Sequence, residues 1–440
     1  MIRQLIKSLS AALEAFALIF SPVNASVPDM TAQSVTNDRQ TVRVALAYGE
    51  NSRDCVTLSS DGSLLIGFFD GGTFHPIANE SAGIVVISAG ENGSFDINGP
   101  YGSVSLSYAG ACPLAVVSDT GPISFPCDDE LYEYGGYIEF SANDNGFSII
   151  NTVGLEDYVK GVLPYEIGTN ESDETTKAFA VLTRTVPLSK SKPAHLEDGF
   201  DVCTSTCCQI YRGFSKRDER LERIADETKG EILSYDGKPA TVLYHTVSGG
   251  ATCSLCEAWG GEDLPYLRSV DVGEPYEESA NGSWKVYYTM DKLTVLLKEY
   301  GGPFTALEGD VTDIRISRTD KYGSGYVTRI TATDEYGTEA SLEYSAPIRE
   351  ALGLKSANFT LTRADITRPD GTVKVSGIII SGKGYGHGVG LSGTGAEYLS
   401  NELGMDYLSI LEKYFPGTAV VDLNTVKWLS FLTKSKFLDY

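Results

Sequence analysis

The hydrophobic pattern of the first third of the chain predicts β-strands. Short runs of alternating apolar and polar residues are each bounded by Gly, Asn or Asp turns. A period of two places the apolar side chains on one face of a strand, so these runs are expected to form sheets with a buried face. The predicted strands are Thr41–Tyr48, Cys55–Phe69, Gly83–Ala89, Gly102–Tyr108 and Tyr137–Asn151.

The pattern changes at Leu155, where apolar residues begin to recur at helical spacing. It predicts helices over Leu155–Leu163 and Asp173–Leu188, because residues three and four apart share one helix face. Ser172 or Asp173 can cap the second helix, since a short polar side chain accepts from the first free amides. Glu166 then lies at the junction between the first helix and the following loop.

The remainder of the chain mixes both patterns. Helices embedded among strands, without regular alternation, indicate an α+β fold rather than a parallel α/β fold. We expect a β-rich N-terminal part followed by a mixed core. The predicted elements are strands Tyr235–Ser248, Val311–Ser317, Tyr326–Thr333, Ala340–Tyr344 and Val373–Ser381, and helices Asp291–Tyr300, Ala396–Leu403 and Met405–Tyr414.

Charge and the N-terminal segment narrow the setting in which the protein acts. A net charge of −24 argues against nucleic acid or anionic lipid as a partner, because both require clustered Lys and Arg. Arg3 and Lys7 precede the apolar run Leu9–Phe20, and Val23-Asn24-Ala25 follows as a small-x-small cleavage pattern. These features predict a signal peptide over residues 1–25. The alternative is an uncleaved membrane anchor; both place the mature chain outside the cytoplasm, in an extracellular or cell-wall location.

The cysteines and one glycine-rich segment carry candidate chemistry. In a secreted chain, eight cysteines favour disulfides. The neighbours Cys207 and Cys208 cannot bridge each other without strain, so a metal is the competing interpretation.

Six glycines surround His387 in the segment Gly384–Ala396, here called the glycine segment. Glycines allow a close approach of backbone to ligand. A tight turn fits equally well, whereas a nucleotide-binding loop does not, because the required sequence context is missing.

Four ordered groups of residues resemble one family. They span about Val42 to Val421, and the chain is similar there to the stage II sporulation protein D family, which includes amidase-enhancer relatives. The groups are Tyr134–Ile138 with Leu155–Glu166; Lys177–Thr185; Asp201–Cys203 and Cys208–Gly213 with Tyr244–Gly250, Trp259–Gly261 and Leu264–Val270; and the glycine segment with Tyr414–Thr418.

The resemblance implies a domain division and an activity. It implies a β-rich region over residues 26–130, a catalytic domain with a glycan groove over 131–422, and a tail over 423–440. The implied activity is that of a lytic transglycosylase, which cleaves the MurNAc–GlcNAc bond of peptidoglycan strands that have lost their stem peptides, during septal wall remodelling in sporulation. One alternative is a non-catalytic wall-binding enhancer of a peptidoglycan amidase. Another is a disulfide-rich surface protein without sugar chemistry.

Site residues follow from the same resemblance. Glu166 matches the family's catalytic glutamate, and its apolar neighbours Leu163, Tyr165 and Ile167 are expected to raise its pKa by desolvation. Arg184 is expected either to bind sugar or to form an ion pair with Glu174 or Glu171. The implied substrate-binding residues are Arg184, Tyr244, His245, Ser248, Gly249, His387 and Ser392.

The resemblance also implies a structural zinc site. Zinc-binding members carry a histidine where Cys207 stands here, but one histidine and three cysteines still suffice for tetrahedral Zn²⁺. The implied ligands are His195, Cys203, Cys207 and Cys208. Disulfides from Cys253 or Cys256 to the three clustered cysteines are the rival interpretation. The glycine segment departs from the family at Gly393, where relatives carry glutamine, so we expect altered substrate subsites.

Overall fold

A computed structural model describes residues 41–70, 72–100, 105–110, 112–127, 130–189, 193–279, 281–367 and 374–425. The predicted signal peptide at residues 1–25 lies outside these ranges. Helices and strands intermix along the described chain, so the α+β prediction is confirmed. Every helix in the described part is too short or too polar to cross a membrane.

Two sheets pack against each other around one hydrophobic core in the first half of the chain. The larger sheet contains, in spatial order, Val202–Cys203, Thr41–Ala47, Gly146–Gly154, Tyr137–Asn143, Leu114–Ser118, Leu64–Asp70 and Thr73–Glu80. The other contains Glu130–Tyr134, Ile123–Cys127, Cys55–Ser59, Ile84–Ala89, Phe95–Asn98 and Ser105–Tyr108. Strands from both sides of residue 130 therefore share each sheet, and the domain division stays a prediction.

The run predicted as a single strand over Cys55–Phe69 forms two strands in different sheets. Cys55–Ser59 belongs to the six-stranded sheet and Leu64–Asp70 to the seven-stranded one. The break falls at Asp61-Gly62, where a turn signal interrupts the alternation. The run Tyr137–Asn151 likewise forms a hairpin, because Asp144 and Asn145 make its turn.

Both helices predicted around Glu166 are present. Leu155–Glu166, here called the acid helix, begins directly after a strand, and Asp173–Thr185 begins after Ser172, whose side chain accepts from the Thr175 amide at 3.3 Å. The other helices are Pro193–Glu197, Glu219–Glu227, Leu255–Trp259, Met290–Tyr300, Ser345–Ala351, Gly393–Asn401 and Tyr407–Tyr414. Short 3₁₀ turns occur at Gly49–Asn51, Glu91–Gly93, Val186–Leu188, Pro265–Leu267, Tyr276–Glu278, Gly302–Ala306 and Leu423–Thr425.

The second half of the chain is built from small sheets. Three sheets have three strands each, and a two-stranded parallel pair joins Tyr244–His245 to Leu391–Ser392. The three-stranded sheets are Lys238–Pro239 with Glu231–Tyr235 and Ala419–Asp422; Ser283–Thr289 with Lys374–Lys383 and Phe359–Thr367; and Val311–Thr319 with Val327–Asp334 and Glu339–Glu343.

One strand prediction was wrong. Tyr235–Ser248 is not a continuous strand, because Asp236 and Gly237 adopt positive φ values of 50° and 72° and turn the chain. Pro239 follows and lacks the amide that a ladder needs. Only the pieces Glu231–Tyr235, Lys238–Pro239 and Tyr244–His245 form strands.

The acid helix lies between the two main hydrophobic cores. Leu155, Tyr158 and Val162 pack into the core of the N-terminal sheets. Val159 and Leu163 pack into the larger core of the second half. Burial on both sides holds the end of the acid helix, and therefore Glu166, at the boundary between the two halves of the molecule.

Candidate active-site groove

An open groove of about 980 Å³ lies at this boundary. Its walls come from the end of the acid helix, the loop after Val202, the strand Tyr244–His245, the glycine segment and the helix Gly393–Asn401. Segments more than two hundred residues apart in sequence therefore meet in one site. The predicted site residues that line it are Glu166, Tyr244, His245, His387, Cys207 and Cys208.

Glu166 is the last residue of the acid helix and is partly buried. Its Oε1 atom accepts a hydrogen bond from the Ile210 amide at 2.5 Å. Burial raises the pKa of the Glu166 carboxyl above its usual value, while hydrogen bonds from Ile210 and from the Tyr244 side chain lower it. The net effect is a raised pKa, which favours a carboxyl group that is available as a proton donor.

A chain of buried hydrogen bonds orients Tyr244 toward Glu166. The Tyr158 hydroxyl donates to Gln209 Oε1 at 2.7 Å, and Gln209 Nε2 donates to the Tyr244 oxygen at 3.1 Å. Because the Tyr244 oxygen accepts this hydrogen bond, the hydroxyl hydrogen of Tyr244 can be donated to Glu166. Gln209 was not among the predicted site residues; its only signal in the sequence is an amide side chain between cysteine and isoleucine.

The two groove histidines are fixed by the backbone of Val389. His245 Nδ1 lies 3.2 Å from the Val389 carbonyl oxygen, and His387 Nδ1 accepts from the Val389 amide at 3.0 Å. The His245 hydrogen is therefore on Nδ1, which leaves Nε2 as an acceptor. Burial, followed by the nearby His387, lowers the pKa of His245 to about 3. His245 is thus neutral, and its buried Nε2 has no hydrogen-bond partner among the described residues.

Three predicted substrate residues lie behind the groove instead of lining it. Ser248, Gly249 and Ser392 surround the buried carboxylate of Glu274. Its Oε1 accepts from the Ser248 amide and hydroxyl at 2.8 and 2.6 Å and from the Gly249 amide at 3.0 Å, and its Oε2 accepts from Ser392 at 2.8 Å. These positions favour a structural role, in which Glu274 fastens the strand Tyr244–His245 to the glycine segment. Sequence reasoning missed Glu274, because a lone acid in a loop carries no pattern.

Arg184 is not in the groove either. Its side chain is fully buried and forms a two-pronged ion pair with Glu156, with Nε–Oε1 and Nη2–Oε2 distances of 2.9 and 2.8 Å. Nη1 also donates to the Glu231 carbonyl at 2.9 Å. The structure therefore favours a structural ion pair over substrate binding as the role of Arg184. Its partner is Glu156, whereas Glu174 pairs with Lys177 at 2.9 Å.

A possible metal-binding cluster lies at one side of the groove. Ligand atoms of His195, Cys203, Cys207 and Cys208 all lie within 4.8 Å of one another, and Cys207 Sγ is 3.6 Å from His195 Nε2. One imidazole and three thiols form a donor set that suits a tetrahedral metal. A hydrogen bond from Cys208 lowers the pKa of the Cys203 thiol, which favours the thiolate form that metals bind.

The rival disulfide interpretation is not supported in the described part of the chain. The seven cysteines whose side chains are described are free. Cys253 is buried away from the cluster, with its sulfur 3.4 Å from the Ser345 hydroxyl. Cys256 faces charged neighbours that include Asp263 and Lys321. Neither residue belongs to the cluster of His195 and the three clustered cysteines.

Sequence comparisons relate this chain to known proteins. The family model described as stage II sporulation protein matches residues 143–235, which carry the acid helix and the cysteine cluster. An uncharacterised protein of Brachyspira hyodysenteriae is 32% identical over 294 residues, covering 67% of this chain and 74% of the relative. Stage II sporulation protein D of Bacillus amyloliquefaciens is 30% identical over 307 residues, covering 65% of this chain and 78% of the relative.

A further relative is longer than the matched region. The amidase enhancer of Bacillus subtilis is 26% identical over 295 residues, and the match covers 60% of this chain but only 40% of that protein. The extent of the match to stage II sporulation protein D is sufficient to place the chain. It belongs to the stage II sporulation protein D family.

Proposed function

We propose that this protein is a peptidoglycan lytic transglycosylase that acts outside the cytoplasm, with Glu166 as its acid and its base. The observation that carries the proposal is Glu166 itself, which lines an open groove with a raised pKa. The names of the relatives, stage II sporulation protein D and amidase enhancer, support a role in the cell wall during sporulation. The substrate would be glycan strands without stem peptides.

One carboxyl group suffices for both steps of this reaction. Protonated Glu166 gives its proton to the glycosidic oxygen while the bond from that oxygen to muramic C1 breaks. The resulting carboxylate then takes the proton of the muramic C6 hydroxyl, whose oxygen bonds to C1 and closes a 1,6-anhydro ring. Glu166 ends protonated as it began, and no water is consumed. A hydrolase would instead need a second carboxyl group at the bond.

The groove residues around Glu166 have positioning roles in this scheme. Tyr244 donates to the carboxylate that forms after the first proton transfer, and so stabilises it. Neutral His245 offers a fixed acceptor to a hydroxyl or amide hydrogen of the sugar. Trp259 and His387, with ring centroids 5.1 Å apart, add flat surfaces on which a sugar ring can pack.

The direct test uses denuded peptidoglycan and the variant Glu166→Gln. We expect the unmodified protein to produce anhydromuramic ends, detected by mass spectrometry, and the variant to lose at least about 100-fold in rate, as is typical for removal of a general acid. Glu219→Gln, on an exposed helix face, is the matched control and should retain full activity. Equal product from Glu166→Gln and the control would exclude the mechanism.

A second candidate function is the non-catalytic enhancement of an amidase. It is favoured by Gly393, which lines the groove without a side chain where relatives carry glutamine. That loss removes an amide that can bond an N-acetyl group. If this candidate holds, the protein will bind denuded sacculi without producing anhydromuramic ends, and Glu166→Gln will stimulate an amidase as well as the unmodified protein does.

We further propose that the cysteine cluster holds a structural zinc ion. His195, Cys203, Cys207 and Cys208 would supply all of its ligands, so a bound zinc would stabilise the loop without joining the chemistry. Protein purified without added metal should contain one zinc per chain, and Cys203→Ser should lose it and unfold at a lower temperature. Exposed Cys55→Ser is the control. A metal-free preparation whose thiols are all oxidised would contradict the proposal.

A further inference from the structure

The groove has an unusual charge distribution. Among the described residues that line it there are six carboxylic acids and neither lysine nor arginine. The acids come from several separate segments of the chain that meet at the groove, so their charges add there. They are Glu166, Glu171, Asp201, Glu350, Glu397 and Glu402.

Two of these acids, Glu171 and Glu397, form an interacting pair. Glu397 accepts from the Ser172 amide at 3.0 Å and from the Ser172 hydroxyl at 2.9 Å, and such bonds hold its pKa below the usual value. Burial, then the neighbouring Glu397, raises the pKa of Glu171 to about 7. The pair therefore carries between one and two negative charges near neutral pH.

The charge of Arg220 lowers the pKa of Glu171, but Arg220 forms its ion pair with another acid. Arg220 donates to the Glu171 carbonyl, and its guanidinium is already bonded to the Asp173 carboxylate at 2.6 and 3.0 Å. Lys177, which lies one turn after Asp173 in the helix Asp173–Thr185, is paired with Glu174 and Glu227. Among the described residues, neither Glu171 nor Glu397 forms an ion pair, so the charge of this pair is left for a ligand to balance.

His245 is an independent reason to expect a hydrogen-bond donor on the ligand. Its side chain is 93% buried, since only 7% is exposed, and it lines the groove with an Nε2 atom that accepts but has no partner among the described residues. A buried acceptor without a partner is costly unless a ligand supplies a hydrogen. Both the charges and this lone pair therefore call for a ligand that is rich in N–H donors and positive.

We infer that the groove selects glycan in which the amino sugars carry free ammonium groups, that is, de-N-acetylated glucosamine residues. This inference rests on the proposed function for the identity of the polymer. A strand without stem peptides carries one lactyl carboxylate for each muramic acid, and the acids of the groove that are ionised repel it. An ammonium on the adjacent glucosamine balances that carboxylate and supplies the donors.

The first test measures binding of two hexasaccharides that differ only in charge: a glucosamine hexamer and an N-acetylglucosamine hexamer. Using the Glu166→Gln variant to prevent turnover, we expect the ammonium form to bind at least about tenfold more tightly at low salt. Most of that preference should disappear at about 0.5 M salt, because screening shortens the range of charge interactions. Equal affinity, or a preference for the acetylated hexamer, would overturn the inference.

Two double variants distinguish the effect of the groove acids on ligand preference from the effect of the chain's net negative charge. The double variant Glu350→Gln/Glu402→Gln removes two exposed acids from the groove lining and should reduce the preference several-fold. The matched control Asp61→Asn/Glu299→Gln removes two exposed acids outside the lining and should keep it. Equal reductions in both double variants would assign the preference to net charge and contradict the inference.

A cleavage experiment distinguishes this inference from the proposed function. Denuded glycan is prepared with and without prior de-N-acetylation, and anhydromuramic ends are counted for each. If neither strand is cleaved but the ammonium hexamer still binds selectively, the transglycosylase proposal fails and the selectivity stands. If both are cleaved at equal rates, the transglycosylase proposal stands and the selectivity fails.

Discussion

Tyr244 is the side chain that adjusts the proton of Glu166. Its oxygen accepts from Gln209 at 3.1 Å, and its own hydrogen is therefore directed to the glutamate. A hydrogen bond to a carboxylate stabilises the ionised form and opposes the effect of burial. Desolvation thus raises the pKa of Glu166, whereas the Ile210 amide and the Tyr244 hydroxyl lower it. In the proposed mechanism these two donors would stabilise the carboxylate that the second step needs.

Removing the Tyr244 hydroxyl should shift the pH dependence of the reaction. In Tyr244→Phe the pKa of Glu166 rises further, because one of the contacts that lowers it is lost. Since the first step needs the protonated acid, we expect the alkaline limb of the pH–rate profile to move to higher pH, while the maximal rate falls. The measurement is initial rate against pH for both proteins.

Tyr165→Phe is the control for this shift. Tyr165 is adjacent to Glu166, but its buried hydroxyl has no hydrogen-bond partner among the described residues. Its removal should leave the profile in place. An alkaline limb that moves to lower pH in Tyr244→Phe, or that moves equally in both variants, would contradict the role given to Tyr244.

The backbone of the glycine segment packs directly against a buried aromatic side chain. Gly388 has a φ of 83°, and a Cβ atom at this position would lie 2.3 Å from Cζ of Tyr326. Tyr326 is fully buried, and its hydroxyl donates to the Ser248 carbonyl at 3.0 Å. The segment therefore needs glycine here for two reasons, a left-handed backbone and the closeness of an aromatic ring.

Comparison of two alanine variants separates these reasons. Gly417 has the same φ of 83° but nothing within 4 Å of its virtual Cβ. Gly417→Ala should cost about 1 kcal/mol of unfolding free energy from backbone strain alone. Gly388→Ala should cost a further 1–3 kcal/mol or so from overpacking. Denaturant unfolding measures both, and equal costs would show that the contact with Tyr326 relaxes freely.

Elements with strong local signals were predictable from the sequence. The acid helix and the helix after Ser172 follow apolar spacing and a cap, and both are present within a few residues of their predicted bounds. The helix Glu219–Glu227 and the strand Phe359–Thr367 were not predicted. The helix is mostly charged, with only Leu221, Ile224 and Ala225 buried, so its pattern is weak.

Side-chain partners were less predictable than elements, because they depend on tertiary contacts. The family resemblance made Arg184 a candidate for sugar binding. Its ion pair with Glu156 could not be predicted from the sequence, because it depends on how two helices pack. Glu274 gathers donors from segments up to 118 residues away. Only the cysteine cluster was predictable as a set, since three of its members are close in sequence.

Contacts between distant segments also couple the stability of the whole molecule to pH. Glu171 lies between the acid helix and the helix Asp173–Thr185, and it faces Glu397 on the helix Gly393–Asn401. Burial first, and then Glu397, raise the pKa of Glu171 from 4.5 to about 7. The folded state therefore holds this proton over a pH range in which the unfolded chain has released it.

The contribution of Glu171 to stability should fall as pH rises from about 4.5 to about 7. A raised pKa means that the folded state binds more protons than the unfolded state in this range, so the unfolding free energy decreases with pH. Glu171→Gln removes that contribution, and its free energy of unfolding should decrease less over the same range. Glu219→Gln keeps the slope of the unmodified protein. A steeper decrease in Glu171→Gln would contradict the assignment of the proton.

The parallel pairing of Tyr244–His245 with Leu391–Ser392 sets the order in which the protein acquires its groove during synthesis. Glu166 emerges early, together with a helix and sheets that can already pack around it. The opposite wall is supplied by residues 385–402, so the nascent chain has no complete groove until nearly all of the described sequence has been made. A chain that is cut short before residue 385 therefore carries Glu166 without this part of the groove lining. The groove is thus completed only after almost all of the described chain has been made, because Tyr244–His245 pairs with Leu391–Ser392.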